Sequence, residues 1–310
     1  MFNFRTDLAD ERADIFRKSK KITSDINGIE TDTKEDENIK TTTVKITNEN
    51  GEKSIGKPIG TYVTIDIKQL KDATDEDIQV YGNALSLELK KMVNNHIKNE
   101  EDVLIVGLGN IYVTPDSLGP KVINEIDVTR HIIKYMPQYI ETGTRPISAV
   151  SPGVLGTTGI ETLEIIDGIV KNINPKLIIV IDALASRSMN RISSSIQLSD
   201  TGIVPGAGVD NTRKELSEKT LGVPVIAIGI PTVVEAATIV ADSIDVFIEK
   251  LQNEGKSSDY LNKLKDENKY KIIKEVLIPK DFNMIVTPKE IDDLIENMKD
   301  VVAIGINSAL

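Results

Sequence analysis

The chain has no cysteine among its 310 residues and only two histidines. Without cysteine it forms no disulfide, holds no metal through thiolates and has no cysteine nucleophile. The two histidines, His96 and His131, are far apart in sequence and lack the short spacing of a helical zinc pair. A Ser-His-Asp triad would have to use one of them, so we do not expect a serine protease site.

Long apolar runs and an excess of basic residues are also missing. No apolar run approaches the ~18–20 residues that span a bilayer, and the N-terminus is charged too early for a secretory signal. The formal net charge of −11 argues against a nucleic-acid-binding surface, which needs a basic stripe. We therefore expect a cytoplasmic protein that binds neither membranes nor nucleic acid directly.

The first hundred residues contain three segments with different sequence patterns. Residues 1–40 are polar and charged and predict a loop or flexible arm, apart from a short amphipathic helix at Asp10–Lys20. The segments Thr41–Thr47 and Gly60–Ile67 alternate and are rich in β-branched residues, so they predict an antiparallel pair of strands. Thr74 is then typical of the N-cap of a long helix that continues to Lys98.

Strand and helix patterns alternate from residue 103 onwards. The predicted strands lie at 103–107, 147–150, 177–182, 191–198 and 223–228, and the predicted helices at 118–135, 160–173, 232–251 and after residue 287. Two of these helices are predicted to start with capping boxes, Thr158-x-x-Glu161 and Thr232-x-x-Glu235. Strands separated by helices indicate an α/β sheet with a parallel core. The polar segment 252–275 indicates a surface excursion.

Two carboxylates follow buried strands of this core. Asp116 lies in the loop after strand 103–107, and Asp182 closes an apolar run that starts at Leu177. Because parallel strands bring their carboxyl ends to the same edge of a sheet, we expect the two acids to meet there. Neighbouring carboxyl groups share a proton and their pKa values separate, which is what general acid–base hydrolysis needs.

Other interpretations of these residues remain open. Asp116 could instead cap the helix that follows it. The glycines at 107 and 109 could form a tight turn or a dinucleotide loop, although Tyr112 stands where a dinucleotide fingerprint has its third glycine. Asp200 and Asp210 compete as catalytic acids, but their glycine-rich loop favours solvated side chains.

Several segments of the chain, in the same order and over nearly its whole length, resemble the spore germination protease family of endospore-forming bacteria. They are Arg5–Ala9, Val106–Asn110, Val113–Pro120, Val128–His131, Gly159–Thr162, Ile181–Ala185, Ser199–Ile203, Leu221–Gly229, Pro231–Val234 and Met284–Glu290.

The resemblance implies an endopeptidase of the spore core. Its substrates would be the small acid-soluble spore proteins that coat DNA in the dormant spore, and it would assemble as a homotetramer. The implied fold is a three-layer α/β/α sandwich with a mainly parallel central sheet, similar to hydrogenase maturation proteases, plus extra N-terminal strands. The metal-binding acids of those maturation proteases, and the two acids used by the family, fall at Asp116 and Asp182.

The chain departs from these relatives in two places. No histidine follows Asp182 in this chain, whereas the maturation proteases use one there, so we expect no metal and no other cofactor. The segment 252–275 is also shorter than in longer family members.

The resemblance also implies a zymogen that removes its own propeptide. Residues Thr6–Glu11 are similar to the cleavage motif of the spore proteins, with an acidic residue, a large apolar one, alanine, a polar position and an acidic one. We expect cleavage between Asp7 and Leu8, with 1–7 as the propeptide and 8–310 as a single α/β protease domain. The polar flank predicts that this bond is accessible.

The sequence thus predicts an atypical aspartic endopeptidase in which Asp116 and Asp182 are the catalytic residues. The alternative is a non-catalytic maturation or assembly factor on the same scaffold, whose acids would grip the metal or peptide of a partner.

Overall fold

A computed structural model of the chain describes residues 6–20, 26–36, 38–67, 70–206, 213–253, 273 and 284–310. The helices longer than one turn of 3-10 helix are α1 (Ala9–Lys20), α2 (Glu49–Ile55), α3 (Asp75–His96), α4 (Leu118–Ile123), α5 (Arg130–Tyr135), α6 (Leu155–Thr158), α7 (Thr162–Ile173), α8 (Glu218–Leu221), α9 (Ala236–Asn253) and α10 (Ile291–Ala309). None of these described helices combines the length and the apolar character that crossing a bilayer requires.

The described strands form one mixed sheet. They are β1 (Ile29–Glu35), β2 (Ile39–Ile46), β3 (Gly60–Ile67), β4 (Val103–Gly107), β5 (Ile147–Val150), β6 (Leu177–Ser186), β7 (Ser195–Ser199), β8 (Val225–Glu235) and β9 (Ile285–Val286). Their order is β1-β2-β3-β7-β8-β6-β4-β5, with β9 paired to β8. β5, β4, β6 and β8 run parallel, and the N-terminal strands with β7 add an antiparallel half. The α/β fold with extra N-terminal strands is therefore confirmed.

Helices cover both faces of the parallel half, which makes the predicted three layers. Ile105 of β4 packs in one apolar cluster with Leu85 of α3 and Met298 of α10. Its neighbour Leu104 packs in a second cluster with Ile166 of α7. Because successive side chains of a strand point to opposite faces, a continuous apolar run such as β4 is buried on both sides.

Two helices begin where the sequence predicts. Thr74 caps α3 in a capping box, since its hydroxyl accepts from the Asp77 backbone N–H and the Asp77 side chain accepts from the Thr74 backbone N–H. The C-terminal helix α10 starts at Ile291 and buries Leu294, Ile295 and Met298, as its apolar spacing predicts.

The prediction of a loop or arm over residues 1–40 was wrong for much of that segment. α1 extends the amphipathic helix predicted at its start, and residues 29–35 form the edge strand β1, which pairs with β2. Only Ile29 of β1 is buried, so the strand is stabilised by its backbone hydrogen bonds to β2. Its sequence therefore lacks the alternation of apolar and polar residues from which a strand is predicted.

The single helix predicted over 118–135 is also wrong, because two short helices, α4 and α5, stand there. Between them the chain turns to meet other elements: the Thr129 backbone N–H donates to the Ile147 carbonyl at 3.1 Å, and the Asp127 N–H to the Asn307 side chain at 3.2 Å. These long-range hydrogen bonds replace hydrogen bonds within a helix, so local helix propensity does not determine the conformation between α4 and α5.

Both strands next to the candidate site run further than predicted. β6 continues to Ser186, so Asp182 lies inside the strand and not at its end. β8 runs to Glu235 through Thr232, so the capping box predicted there is wrong, and α9 starts only at residue 236. Pairing with β6, with a register shift between Leu184 and Ala185, holds this stretch extended.

The capping box predicted at Thr158 and Glu161 is wrong as well. Thr158 ends α6, Gly159 follows with φ +70°, and α7 starts at Thr162 without a side-chain cap. Most of the segment predicted as a surface excursion, 252–275, lies outside the described residues, and so does Asp210.

Candidate active site

A cleft of about 460 Å³ opens beside the carboxyl-end half of the parallel strands. Asp116 and Asp182 both line it, as the sequence predicts, and Asp7 lines it as well. Asp200 does not: its carboxylate accepts from the Thr61 backbone N–H at 2.8 Å and so connects β7 to β3. His96 and His131 are exposed on α3 and α5, and neither lines the cleft.

Asp116 is held by a tight turn after β4. It lies in a 3-10 turn, Thr114–Asp116, and the Asn110 backbone N–H donates both to its carboxylate at 2.9 Å and to its carbonyl at 3.0 Å. Ser117 occupies the N-cap position of α4, so helix capping does not account for Asp116. Burial raises the pKa of Asp116 to about 6, against the lowering effect of the Asn110 N–H.

Glycine is required at the centre of this turn. Gly109 has φ +116°, and a methyl group there would lie 2.0 Å from the Asp116 carbonyl oxygen. Gly109 therefore serves the tight turn and the close approach to Asp116, and Gly107 lets the strand end lie against the Gly119 backbone, in line with the tight-turn interpretation of these glycines.

Asp182 is more deeply buried, with 6% of its surface exposed. Its carboxylate accepts from the Ala183 backbone N–H at 3.0 Å. Burial raises the pKa of Asp182 well above its ordinary value, and the negative charges of Asp116 and Asp7 raise it further. The cleft thus holds one carboxyl group that ionises near pH 6 and a second that keeps its proton at higher pH.

The N-terminal segment packs beside these acids, and its Asp7 lines the cleft with them. The Asp7 backbone N–H donates to the Ala185 carbonyl at 3.1 Å, and the Ala185 N–H donates to the Asp7 carboxylate at 3.1 Å. Leu8 is 0% exposed, and Thr6 and Ala9 are buried too. The prediction that the Asp7–Leu8 bond is accessible is therefore wrong in this state of the chain, because tertiary contacts bury a segment that is polar in composition.

Sequence reasoning missed three groups that face this segment. Gln197 of β7 bonds to its backbone, with Nε2 donating to the Asp7 carbonyl at 3.2 Å and Oε1 accepting from the Ala9 N–H at 2.6 Å. The Arg12 guanidinium donates to the Thr6 carbonyl at 2.8 Å. Lys57 also lines the cleft, and burial lowers its pKa to about 8 against the opposing charge of Asp7. No local pattern marks Gln197 or Lys57, since each acts on the segment across a long sequence separation, whereas Arg12 acts within its own segment.

A metal site is not evident in the described part of the chain, where no group of three or more His, Cys, Asp or Glu side chains is placed to hold an ion. What the cleft does offer is a pair of carboxyl groups with separated pKa values. An α/β fold with such a pair is of the class that supports acid–base hydrolysis.

Comparison with known proteins identifies the family. The family model described as germination protease matches residues 6–263 and 256–310. The germination protease of Clostridium acetobutylicum is 49% identical over 100% of this chain and 96% of its own length. That of Caldanaerobacter subterraneus subsp. tengcongensis is 46% identical over 100% and 95%, and that of Priestia megaterium 41% identical over 100% and 94%. The chain belongs to the germination protease family and is an endopeptidase of spore germination.

A solved structure, the NiFe hydrogenase maturation protease HycI from Thermococcus kodakarensis KOD1, is also similar. It has a TM-score of 0.29 and 16% identity and covers 47% of this chain and 80% of its own.

Proposed function

We propose that this chain is an aspartate-dependent endopeptidase that starts the degradation of small acid-soluble spore proteins in the germinating spore. The observation that carries the proposal is that Asp116, Asp182 and Asp7 line one cleft, with Leu8 buried directly after Asp7. Residues Thr6–Glu11 are similar to the cleavage motif of the spore proteins, and Asp7 lies at the cleft that a substrate would enter. Membership of the germination protease family supports the same activity.

The two raised pKa values suggest separate roles for the acids. Above about pH 6, ionised Asp116 accepts a proton from a water molecule, whose oxygen attacks the carbonyl carbon of the scissile bond. Protonated Asp182 donates a hydrogen bond to the carbonyl oxygen. As the carbon–nitrogen bond breaks, a proton from the pair passes to the leaving amine, so one water molecule is consumed and a carboxyl group and an amine are formed.

We further propose that the chain is made as a zymogen, with 1–7 as propeptide and 8–310 as the protease domain. The burial of Thr6, Asp7 and Leu8, with Asp7 at the wall of the cleft, supports this, because a segment held there obstructs other substrates until it is cut. The family resemblance also supports a homotetramer located in the spore core. The net charge of −11 supports a protein that acts on DNA-coating proteins without binding nucleic acid directly.

The decisive experiment is incubation of the purified chain that starts at Leu8, the proposed active form, with an acid-soluble spore protein, with and without EDTA. We expect cleavage on the amino side of the apolar residue in the acidic–apolar–alanine motif, unchanged by EDTA. An intact substrate would overturn the proposal and favour a binding protein. Loss of cleavage in EDTA, restored by a divalent ion, would assign a metal-dependent mechanism to the same acids.

Self-cleavage is expected at a single bond. Mass spectrometry of the activated chain should find Leu8 at the new N-terminus, because Asp7 lines the same cleft as the acids and Leu8 follows it directly. We expect a chain that starts at Leu8 to be active without a lag. Equal activity of the unprocessed full chain would contradict the zymogen proposal.

The rate of self-cleavage is expected to depend on pH through both acids. Asp116 must be ionised, so the rate should rise as pH increases through about 6. Asp182 must keep its proton, so the rate should fall again at a higher pH, at which that group ionises. A first-order rate measured across this range by mass spectrometry checks both limbs, and a rate that stays constant through pH 6 would contradict the assignment to Asp116.

A further inference from the structure

Gln197 is the residue that contacts both sides of the Asp7–Leu8 peptide bond. Its Nε2 donates to the carbonyl oxygen of Asp7, the oxygen of the bond to be cut, at 3.2 Å. Its Oε1 accepts from the N–H of Ala9, one residue beyond that bond, at 2.6 Å. The buried Gln197 side-chain amide therefore binds backbone atoms of the segment and makes neither of these hydrogen bonds to the Leu8 side chain.

The sheet places Gln197 on the same face as Asp182. Gln197 pairs with Gly229 of β8, and Gly229 pairs with Asp182 of β6, so the three residues form one row across the sheet. Directly paired residues point to the same face, and two strand spacings of about 4.8 Å separate the two outer backbones. Gly229 puts no side chain of its own between them. Both outer residues thus line the same cleft as Asp7.

A purely structural role also has to be considered. Ala9 is the first residue of α1, and its N–H is one of the helix N-terminal groups without an intrahelical partner. Oε1 of Gln197 satisfies that group, which anchors the helix. The Nε2 contact is different, because a carbonyl oxygen in the cleft needs no such donor to form α1, and it is the atom on which negative charge develops during hydrolysis.

We propose that Gln197 is a catalytic residue that stabilises the negative charge on the scissile carbonyl oxygen through Nε2, while Oε1 holds the substrate backbone in register. The inference rests on the proposed function, since it takes the seated segment as a substrate. When the water oxygen bonds to the carbonyl carbon, the carbonyl electron pair moves onto the oxygen, and the Nε2 hydrogen bond strengthens there. It weakens again when the carbon–nitrogen bond breaks and the carbonyl re-forms.

The test compares Gln197→Glu and Gln197→Met in the full chain. Gln197→Glu keeps an acceptor for Ala9 and, at a pH at which the introduced carboxyl group is ionised, removes the donor to the scissile oxygen. Gln197→Met removes both groups without adding charge. We expect each to slow self-cleavage by about 10²–10³-fold, the loss typical of one oxyanion donor. The readouts are the first-order rate by mass spectrometry and the melting temperature, because a residue that only anchors α1 would change the second and not the first.

Ser195→Ala is the matched control. Ser195 lies two residues away on the same face of β7, and its hydroxyl donates to Asp66 at 2.5 Å, outside the cleft. We expect a wild-type rate from it.

The outcomes separate the two proposals. If wild type cuts and Gln197→Met cuts equally fast, the role of Gln197 is overturned and the proposed function stands. If Gln197→Met fails to fold, a wild-type rate in Gln197→Glu overturns the role in the same way. A wild-type chain that cuts neither itself nor a spore protein overturns both proposals.

Discussion

Replacing either Asp116 or Asp182 by Asn is expected to reduce proteolysis by about 10³-fold or more, within the range that a general acid or base contributes. The amide keeps the shape of the side chain and an acceptor oxygen for the N–H of Asn110 or Ala183, so the turn and the strand keep their bonds. It removes only ionisation. Cleavage of a spore-protein substrate measures the effect, and near-normal cleavage by either variant would remove that residue from the pair.

The matched control is Asp200→Asn. Asp200 accepts from the Thr61 N–H at 2.8 Å and does not line the cleft. The same chemical change there should leave the rate near that of wild type.

The same two substitutions are expected to stabilise the fold at neutral pH. The raised pKa values mean that the folded chain keeps protons which the unfolded chain loses as pH rises above the ordinary carboxyl pKa. The free energy of unfolding therefore falls with rising pH across that range, by about 1.4 kcal/mol for each unit of pKa difference. Asn removes this cost, so Asp182→Asn should melt above wild type at neutral pH. A lower melting temperature would indicate that the inactive variant is misfolded.

Gly109→Ala is expected to damage both stability and activity. Alanine at φ +116° is strained, and its methyl group would lie 2.0 Å from the Asp116 carbonyl oxygen, so the turn that positions Asp116 must move. We expect a loss of about 2–4 kcal/mol in the free energy of unfolding. Cleavage should fall even under conditions in which the variant remains folded. Denaturant unfolding and the cleavage assay measure the two effects.

Gly168→Ala in α7 controls for the substitution itself. Nothing lies within 4 Å of a methyl group at 168, and the backbone there is helical. Alanine should stabilise this helix by about 0.5–1 kcal/mol. Equal effects at 109 and 168 would contradict the role given to the Gly109 turn.

The sequence by itself determined the layered core and identified the two acids of the candidate site. Continuous apolar runs at 103–107 and 177–181 can be satisfied only by strands buried on both faces, so they predict the parallel core. An aspartate inside such a run is costly unless it is used, which points to Asp182, and the loop at the carboxyl end of the neighbouring parallel strand points to Asp116. The N-cap at Thr74 and the buried apolar face of α10 are also predicted from the sequence, because capping and helical spacing are local properties.

Only the tertiary structure decided the extent of the remaining strands and the position of the N-terminal segment beside the acids. β1 and the extension of β8 depend on pairing partners elsewhere in the chain, which override the local signals at Thr232 and Glu235. The N-terminal segment is polar, yet Ala185 and Gln197 bury it in the cleft. Gln197 itself lies in a strand with no distinguishing pattern. Hydrogen bonds between residues almost two hundred positions apart leave no trace in local sequence, so the contact of Gln197 with the Asp7 carbonyl becomes visible only when the sheet is assembled.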